Sequence, residues 1–370
     1  MASIPNLNSL RTGRRGPRLR GGRGGRAIPE NDDSSHVEAA EAGRDKVIQQ
    51  TDNDASSSRL SAVALGYLDD PYAPVFAAQG EQVVRRYPII NRGTYVRTTA
   101  IDNLVKRFLQ HDPNQRKQIV SLGAGSDTRF WRLWTDAASA SFAEVEYHEL
   151  DFEANVNQKR ASTRQSLFIS DMTQKAEKGG WRYHLHALDL RNLTNKSPPP
   201  IPNLDPELPT LILSECCLCY LPPDTATSVL QYFTMNLKGL LGLALYEPIR
   251  PLDAFGKTMV SNLASRGIHL QTLQRYGTLE AQRQRLRLAG FNDGQGVRDV
   301  SQMYASETWV SRAERVRVER LEWLDEVEEW QLLASHYCVA WGWRGQGFGE
   351  AWQGLEGSRT SSEDRDDGLG

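Results

Sequence analysis

Apolar side chains recur at Ile101, Leu104, Val105, Phe108 and Leu109, a spacing of i, i+3, i+4, i+7 and i+8 that gathers them on one stripe of a helix. The period then changes. Ile119-Val120-Ser121-Leu122 is a short β-branched run stopped by Gly123, and a helical stretch containing Phe130, Trp131, Leu133 and Trp134 follows it. Further strand candidates lie at 145–150, 183–188, 211–213 and 241–245, each separated by helix-like or loop sequence. Strands that alternate with helices predict a mostly parallel sheet with helices on both faces, an α/β fold. A charged stretch over 312–329 leads to residues 336–341, which read as a last strand, antiparallel at or near the sheet edge.

The two ends lack this patterning. Residues 1–57 are rich in Gly and Arg, then in Asp, Glu, Ser and Asn, and are expected to form a disordered leader; 348–370 read as a disordered acidic tail. That leaves one domain, 58–347, in a chain of 370 residues, and gives the low apolar fraction of 39 % a location. The net charge of −2 hides an asymmetry. Residues 11–26 hold seven arginines and no acid; with these set aside, 37 basic residues face 46 acidic ones, a net −9. The acidic bulk disfavours a nucleic-acid or membrane-surface role for the whole chain, leaving only a weak RNA contact to the Gly/Arg leader. That leader has no apolar face, which disfavours a mitochondrial presequence.

The four cysteines (Cys216, Cys217, Cys219, Cys338) do not form a sensible disulfide framework, so a reducing, cytoplasmic location that extends to the nucleus is expected. Their spacing also lacks the partner pair of a structural zinc site; packing in the core or a pocket wall is expected, and no metal. No apolar run approaches the ~20 residues of a membrane span.

The local signal for chemistry is Leu122-Gly123-Ala124-Gly125-Ser126-Asp127, a strand ending in Gly-x-Gly. Glycines there let a ligand approach the backbone closely, but the third glycine of a dinucleotide fingerprint and the Lys-Ser/Thr of a phosphate loop are absent. Asp151, at the tip of the next strand, is suited to accept hydrogen bonds from ribose hydroxyls, so an adenosine ligand without bridging phosphates fits both features. Asp189 follows the third strand as either an acceptor for an adenine amino group, with Leu190 flanking the ring, or a helix N-cap. Glu215 ends a buried-looking strand, where a carboxylate must be solvated, paired or used. Arg97 lies four residues before Ile101 on the apolar stripe, as a snorkelling or ion-paired arginine or one that binds a carboxylate; Arg59 is a second candidate.

Together these segments resemble the leucine carboxyl methyltransferases. The resemblance rests on Gly66 to Tyr72 (Gly-Tyr-x-x-Asp-Pro-Tyr), Asn91 to Arg97, Leu122 to Thr128, Leu150-Asp151-Phe152, Asp189-Leu190-Arg191, Ser214-Glu215-Cys216 through Tyr220, Glu322 to Glu326 and His336-Tyr337-Cys338. It implies a class I S-adenosylmethionine-dependent methyltransferase: a Rossmann-like, mostly parallel sheet with helices on both faces, plus added helices. It also implies a monomer that esterifies the C-terminal leucine carboxylate of the protein phosphatase 2A catalytic subunit and so regulates holoenzyme assembly. By motif position, Arg97 and Arg59 would bind the cofactor's methionine carboxylate, Gly123 and Gly125 would approach methionine and ribose, and Asp151 would hold the ribose. Asp189 and Leu190 would frame adenine, Glu215 would contact the cofactor's amino group, and Tyr220, with Arg97, would serve catalysis. The leader and tail lie outside the family pattern, and Ser126 and Arg129 depart from it within the glycine loop. Alternatives are an O-methyltransferase for a small carboxylic acid and a non-catalytic, cofactor-binding partner of the phosphatase.

Overall fold

The run around Ile119 is strand β1 (Lys117–Leu122), whose six residues are all buried. The computed structural model describes residues 33–77, 84–137, 144–345, 348–352 and 354–355. Six more strands join β1: β2 (Val145–Asp151), β3 (Trp181–Ala187), β4 (Thr210–Glu215), β5 (Leu241–Pro248), β6 (Gly294–Asp299) and β7 (Tyr337–Arg344). They form one sheet in the order β3-β2-β1-β4-β5-β7-β6. β1 to β5 are parallel, whereas β7 runs antiparallel between β5 and β6. The expected α/β sheet is therefore present, with the last predicted strand antiparallel and one place from the edge.

Alternation along the strands divides the core into two layers. Ile119, Tyr147, Leu211 and Ala244 face one side, where Phe130, Trp131 and the helix Pro88–Gln110 pack. Val120, Leu150, Ile212 and Leu243 face the other, against Val229, Leu230 and Phe233 of the helix Pro223–Asn236. The stripe at Ile101, Leu104, Val105, Phe108 and Leu109 is buried along its whole length. No helix among the described residues is long and apolar enough to cross a membrane.

Strand β6, Gly-Gln-Gly-Val-Arg-Asp, carries no strand pattern and is missing from the sequence reading. Its glycines are dictated by β7: a Cβ on Gly294 would lie 2.0 Å from the Trp343 ring, and one on Gly296 would lie 2.1 Å from the Trp341 ring.

Both expected domain boundaries move. The predicted disordered leader does not extend to residue 57, because helix α1 spans Asp33–Ala64. Its last turns are anchored by buried Ser56, Leu60, Ser61 and Ala62; farther back it is held by ion pairs such as Asp45–Arg191 at 2.6 Å. Nor does a disordered tail begin at 348: Phe348–Trp352 is helical, and the Trp352 indole is buried and donates to the Leu104 carbonyl at 3.0 Å. Residues 1–32 and 356–370, to which the rest of the leader and tail expectations apply, lie outside the described residues.

Candidate active site

Strand order reverses between β1 and β4, and the crevice beyond their carboxyl ends is where open α/β sheets bind ligands. β1 leads there into Gly123 (φ +63°) and Gly125 (φ +48°), both in the left-handed region that glycine adopts without a steric penalty. Neither position has space for a side chain. A Cβ on Gly123 would sit 2.5 Å from Cys217 Sγ, and one on Gly125 would sit 2.2 Å from Asp52 Oδ1. Asp151, at the tip of β2, accepts from the Gly125 N–H at 2.7 Å, the Phe152 N–H at 2.6 Å and Asn155 at 3.0 Å. Burial raises its carboxyl above the ordinary value, while these donors pull the other way. A carboxylate has room for about four acceptor contacts, so Asp151 keeps capacity for a ligand hydroxyl.

Beside this turn lies a network of charged side chains with Arg129 at its centre. Arg129 is fully buried and donates to three carboxylates: Asp102 at 2.8 Å, Glu215 Oε1 at 2.7 Å, and Asp127. Arg132 also pairs with Asp102, and Arg59 lies 3.2 Å from Asp70 and 3.8 Å from Asp127. Asp70 is fixed in turn by the Tyr72 and Ala73 N–H groups at 3.1 Å and by Thr128 Oγ1. Burial alone would raise Asp127, but Arg129, Arg59 and Arg132 hold it at about 2. Glu215 is likewise held down, by Arg129 and Arg97 against its burial. Both acids are therefore ionised at neutral pH.

Arg97 differs from the other arginines of the network. Its Nε donates to Glu215 Oε2 at 2.7 Å and its guanidinium lies over the Tyr246 ring at 4.7 Å, yet both Nη nitrogens lack a hydrogen-bond partner among the described residues. It is a pre-oriented cationic fork with donors to spare. Arg59, by contrast, spends its guanidinium on Asp70 and Asp127.

The nine residues expected from the sequence (Arg59, Arg97, Gly123, Gly125, Asp151, Asp189, Leu190, Glu215 and Tyr220) all line one cavity of about 710 Å³. Asp189 lines the cavity and also caps the turn after it: its carboxylate accepts from the Arg191 N–H at 2.9 Å and pairs with the Arg191 guanidinium. Leu190 is buried beside it. The Tyr220 phenol is pushed far above its ordinary pKa by burial, then by Cys219 and Cys216, and stays protonated. Cys216 and Cys217 line the cavity wall, Cys219 and Cys338 are buried, and all four thiols are free.

The sequence reading missed Arg129, Asp127, Asp102 and Asp70 as a unit. A signal existed in the charges set directly against apolar residues, Asp102 after Ile101 and Arg129 before Phe130. It also missed α1, which lines the cavity with Ile48, Thr51, Asp52 and Ala55 and whose Asp52 accepts from the Ser126 N–H and Oγ at 2.8 Å.

A parallel sheet with one antiparallel strand inserted between β5 and β6, and a glycine turn with an acid at the neighbouring strand tip, define a class I S-adenosylmethionine-dependent methyltransferase. Within that class, the chain belongs to the leucine carboxyl methyltransferase family, whose sequence profile matches residues 47–234. It is 50 % identical to "Leucine carboxyl methyltransferase 1" of Aspergillus fumigatus, over 96 % of this chain and 98 % of that one. The identity is 38 % to the protein of the same name from Schizosaccharomyces pombe, over 79 % and 93 %. With the "Leucine carboxyl methyltransferase 1 homolog" of Arabidopsis thaliana it is 35 %, over 80 % and 88 %.

Proposed function

We propose that the protein methylates the C-terminal leucine α-carboxylate of the protein phosphatase 2A catalytic subunit. The observation that carries the site assignment is Arg97, with two free Nη donors at the end of a charge-balanced network. Such a network suits a ligand head that is itself a zwitterion. A carboxylate meets Arg97, with Arg59 behind it, and an ammonium meets Glu215 and Asp127. Asp151, beside the glycine turn, suits a ribose; Leu190 offers an apolar wall for adenine, and Asp189 a carboxylate edge.

S-adenosylmethionine, when bound, supplies an electrophilic methyl group on a sulfonium. The chain's part is then alignment. A peptide α-carboxyl has a reference pKa of about 3.5, so the nucleophile is ionised at neutral pH and the site needs no general base. Tyr220, a neutral phenol at the cavity wall, serves to position and shield rather than to remove a proton. α1 contributes Ile48 and Ala55 to the cavity wall, and apolar surface there favours a reaction in which a carboxylate and a cation become neutral. Orientation of this kind supplies on the order of 7 kcal/mol in favourable cases.

The test is transfer of label from S-adenosylmethionine to phosphatase catalytic subunit with and without its terminal leucine. Label is expected on the intact subunit alone; label on the truncated one, or on neither, overturns the reading. Transfer to a free leucine peptide at the same rate would favour a small-acid methyltransferase. The same proposal includes a monomer in the cytoplasm and nucleus; the four free thiols support only the reducing compartment.

A further inference from the structure

A second polar cluster lies outside the cavity, at the β2–β3 end of the sheet. Glu146 and His148 on β2, and His184 and His186 on β3, occupy alternate positions, so the pleat sets all four on the face that carries Leu150. The strand register puts His148 directly opposite His184 and Glu146 opposite Arg182. The imidazoles stack, His148 on His184 at 4.6 Å and His148 on His186 at 5.3 Å between centroids. His184 Nε2 lies 2.6 Å from Glu146 Oε2, and His148 Nδ1 lies 3.1 Å from His186 Nε2. His148 is fully buried, and its Nε2 has no hydrogen-bond partner among the described residues. A buried polar nitrogen left bare is costly unless a further group satisfies it.

We propose that Glu146, His148 and His184 bind a divalent transition-metal ion of the zinc class, with His186 orienting His148. One donor atom from each of the three lies within 4.8 Å of the other two. Metal bonds of about 2.0–2.2 Å require separations of roughly 3–4 Å, a contraction that side-chain rotation supplies. Two imidazoles and one carboxylate suit zinc, cobalt or nickel, and are too poor in oxygen for calcium or magnesium. With His148 Nδ1–H donating to His186 Nε2, the ring's lone pair falls on Nε2, the atom without a partner. Glu146 Oε1 is held by Arg116 and by Arg182 Nη1 at 2.7 Å, which leaves Oε2 for the ion once the His184 contact opens. Those two guanidiniums fix the carboxylate but repel a cation, so affinity falls below that of a closed thiolate site. The site is a staple between two strands. β2 and β3 run on into Asp151 and Asp189, so an ion here would stiffen the part of the sheet that carries both cavity acids.

The experiment uses the full-length chain without a polyhistidine tag, stripped of metal by a chelator and titrated with Co²⁺ and Zn²⁺. Expected are visible ligand-field bands that saturate at one equivalent of Co²⁺, no intense near-ultraviolet cobalt-thiolate band, and a higher thermal midpoint with Zn²⁺. His184→Gln, at a half-buried position, is expected to weaken Co²⁺ binding by at least about tenfold. X-ray absorption at the zinc edge of the parent chain needs no variant and is expected to give a nitrogen and oxygen shell. Absence of ligand-field bands, a sulfur shell or thiolate band, or parent-like binding by His184→Gln overturns the site.

Discussion

Arg97 and Arg129 both pair with Glu215, yet their surroundings assign them different work. Arg129 has three carboxylates and no contact with water; its loss would leave buried acids facing one another, so it is a structural cation. Arg97 has one carboxylate, and its side chain is 28 % exposed toward the cavity. Arg97→Gln therefore removes the ligand-facing donors while Glu215 keeps its bond to Arg129. The expected result is S-adenosylhomocysteine affinity weakened by about 10- to 100-fold, the scale of charge-assisted hydrogen bonds of about 1.5–3 kcal/mol, with little change in the urea midpoint. Calorimetric titration measures the first and circular dichroism the second. Unchanged affinity would transfer the carboxylate-binding role to Arg59.

At the scale of elements, legibility followed the origin of each element's stability. β1, β4 and β5 are buried through most of their length and carry apolar runs visible in the sequence, as is the stripe at Ile101 to Leu109; β2 is equally buried but carries Glu146, His148 and Glu149. The glycine turn and Glu215 were legible because they end such runs, and Asp151 because it closes the strand candidate that follows the glycine turn. α1 was not. Its residues 41–55 are mostly polar, with Val47 and Ile48 the only large apolar side chains, and are held by partners elsewhere in the chain, among them Arg191, Ser126 and Arg266, which no local pattern announces. β6 was hidden for the converse reason: its glycines exist to admit the tryptophans of β7. Gly296→Ala should accordingly push a methyl group into the Trp341 ring and cost about 1–3 kcal/mol by overpacking, read as a lower urea midpoint. Trp341→Leu placed in the same chain should recover part of that loss, because it frees the space the methyl needs. Additive effects of the two substitutions would show that the ring contact is not what requires glycine.

For the whole molecule, the charge network ties the cavity to folding stability, because helix Pro88–Gln110, the glycine loop and β4 meet through it. Asp102, Asp127 and Glu215 all sit below their ordinary carboxyl values, Asp127 at about 2 against 3.8. A folded-state value below the unfolded one means that the unfolded chain binds more protons between the two. The contribution is therefore fully present above about pH 4 and is lost as pH falls toward 2, on the order of 2 kcal/mol from Asp127 alone. Glu149 and Asp151 act in the opposite sense, since burial raises both: their ionisation costs folding free energy above the ordinary carboxyl value, and protonation returns it in acid. Asp127 and Glu146, each held at about 2 against 3.8 and 4.5, stand with lowered Asp102 and Glu215 against raised Glu149, Asp151 and Asp299, and the expectation tested is acid lability that begins near pH 4. Urea midpoints measured from pH 6 to pH 2.5 should be level at first and then fall. Asp127→Asn should start lower at neutral pH, since Arg129 loses a charged partner, and should then decline less steeply in acid. A parent midpoint that stays level through pH 3, or a variant that declines as steeply as the parent, would show that the network does not govern the acid limb.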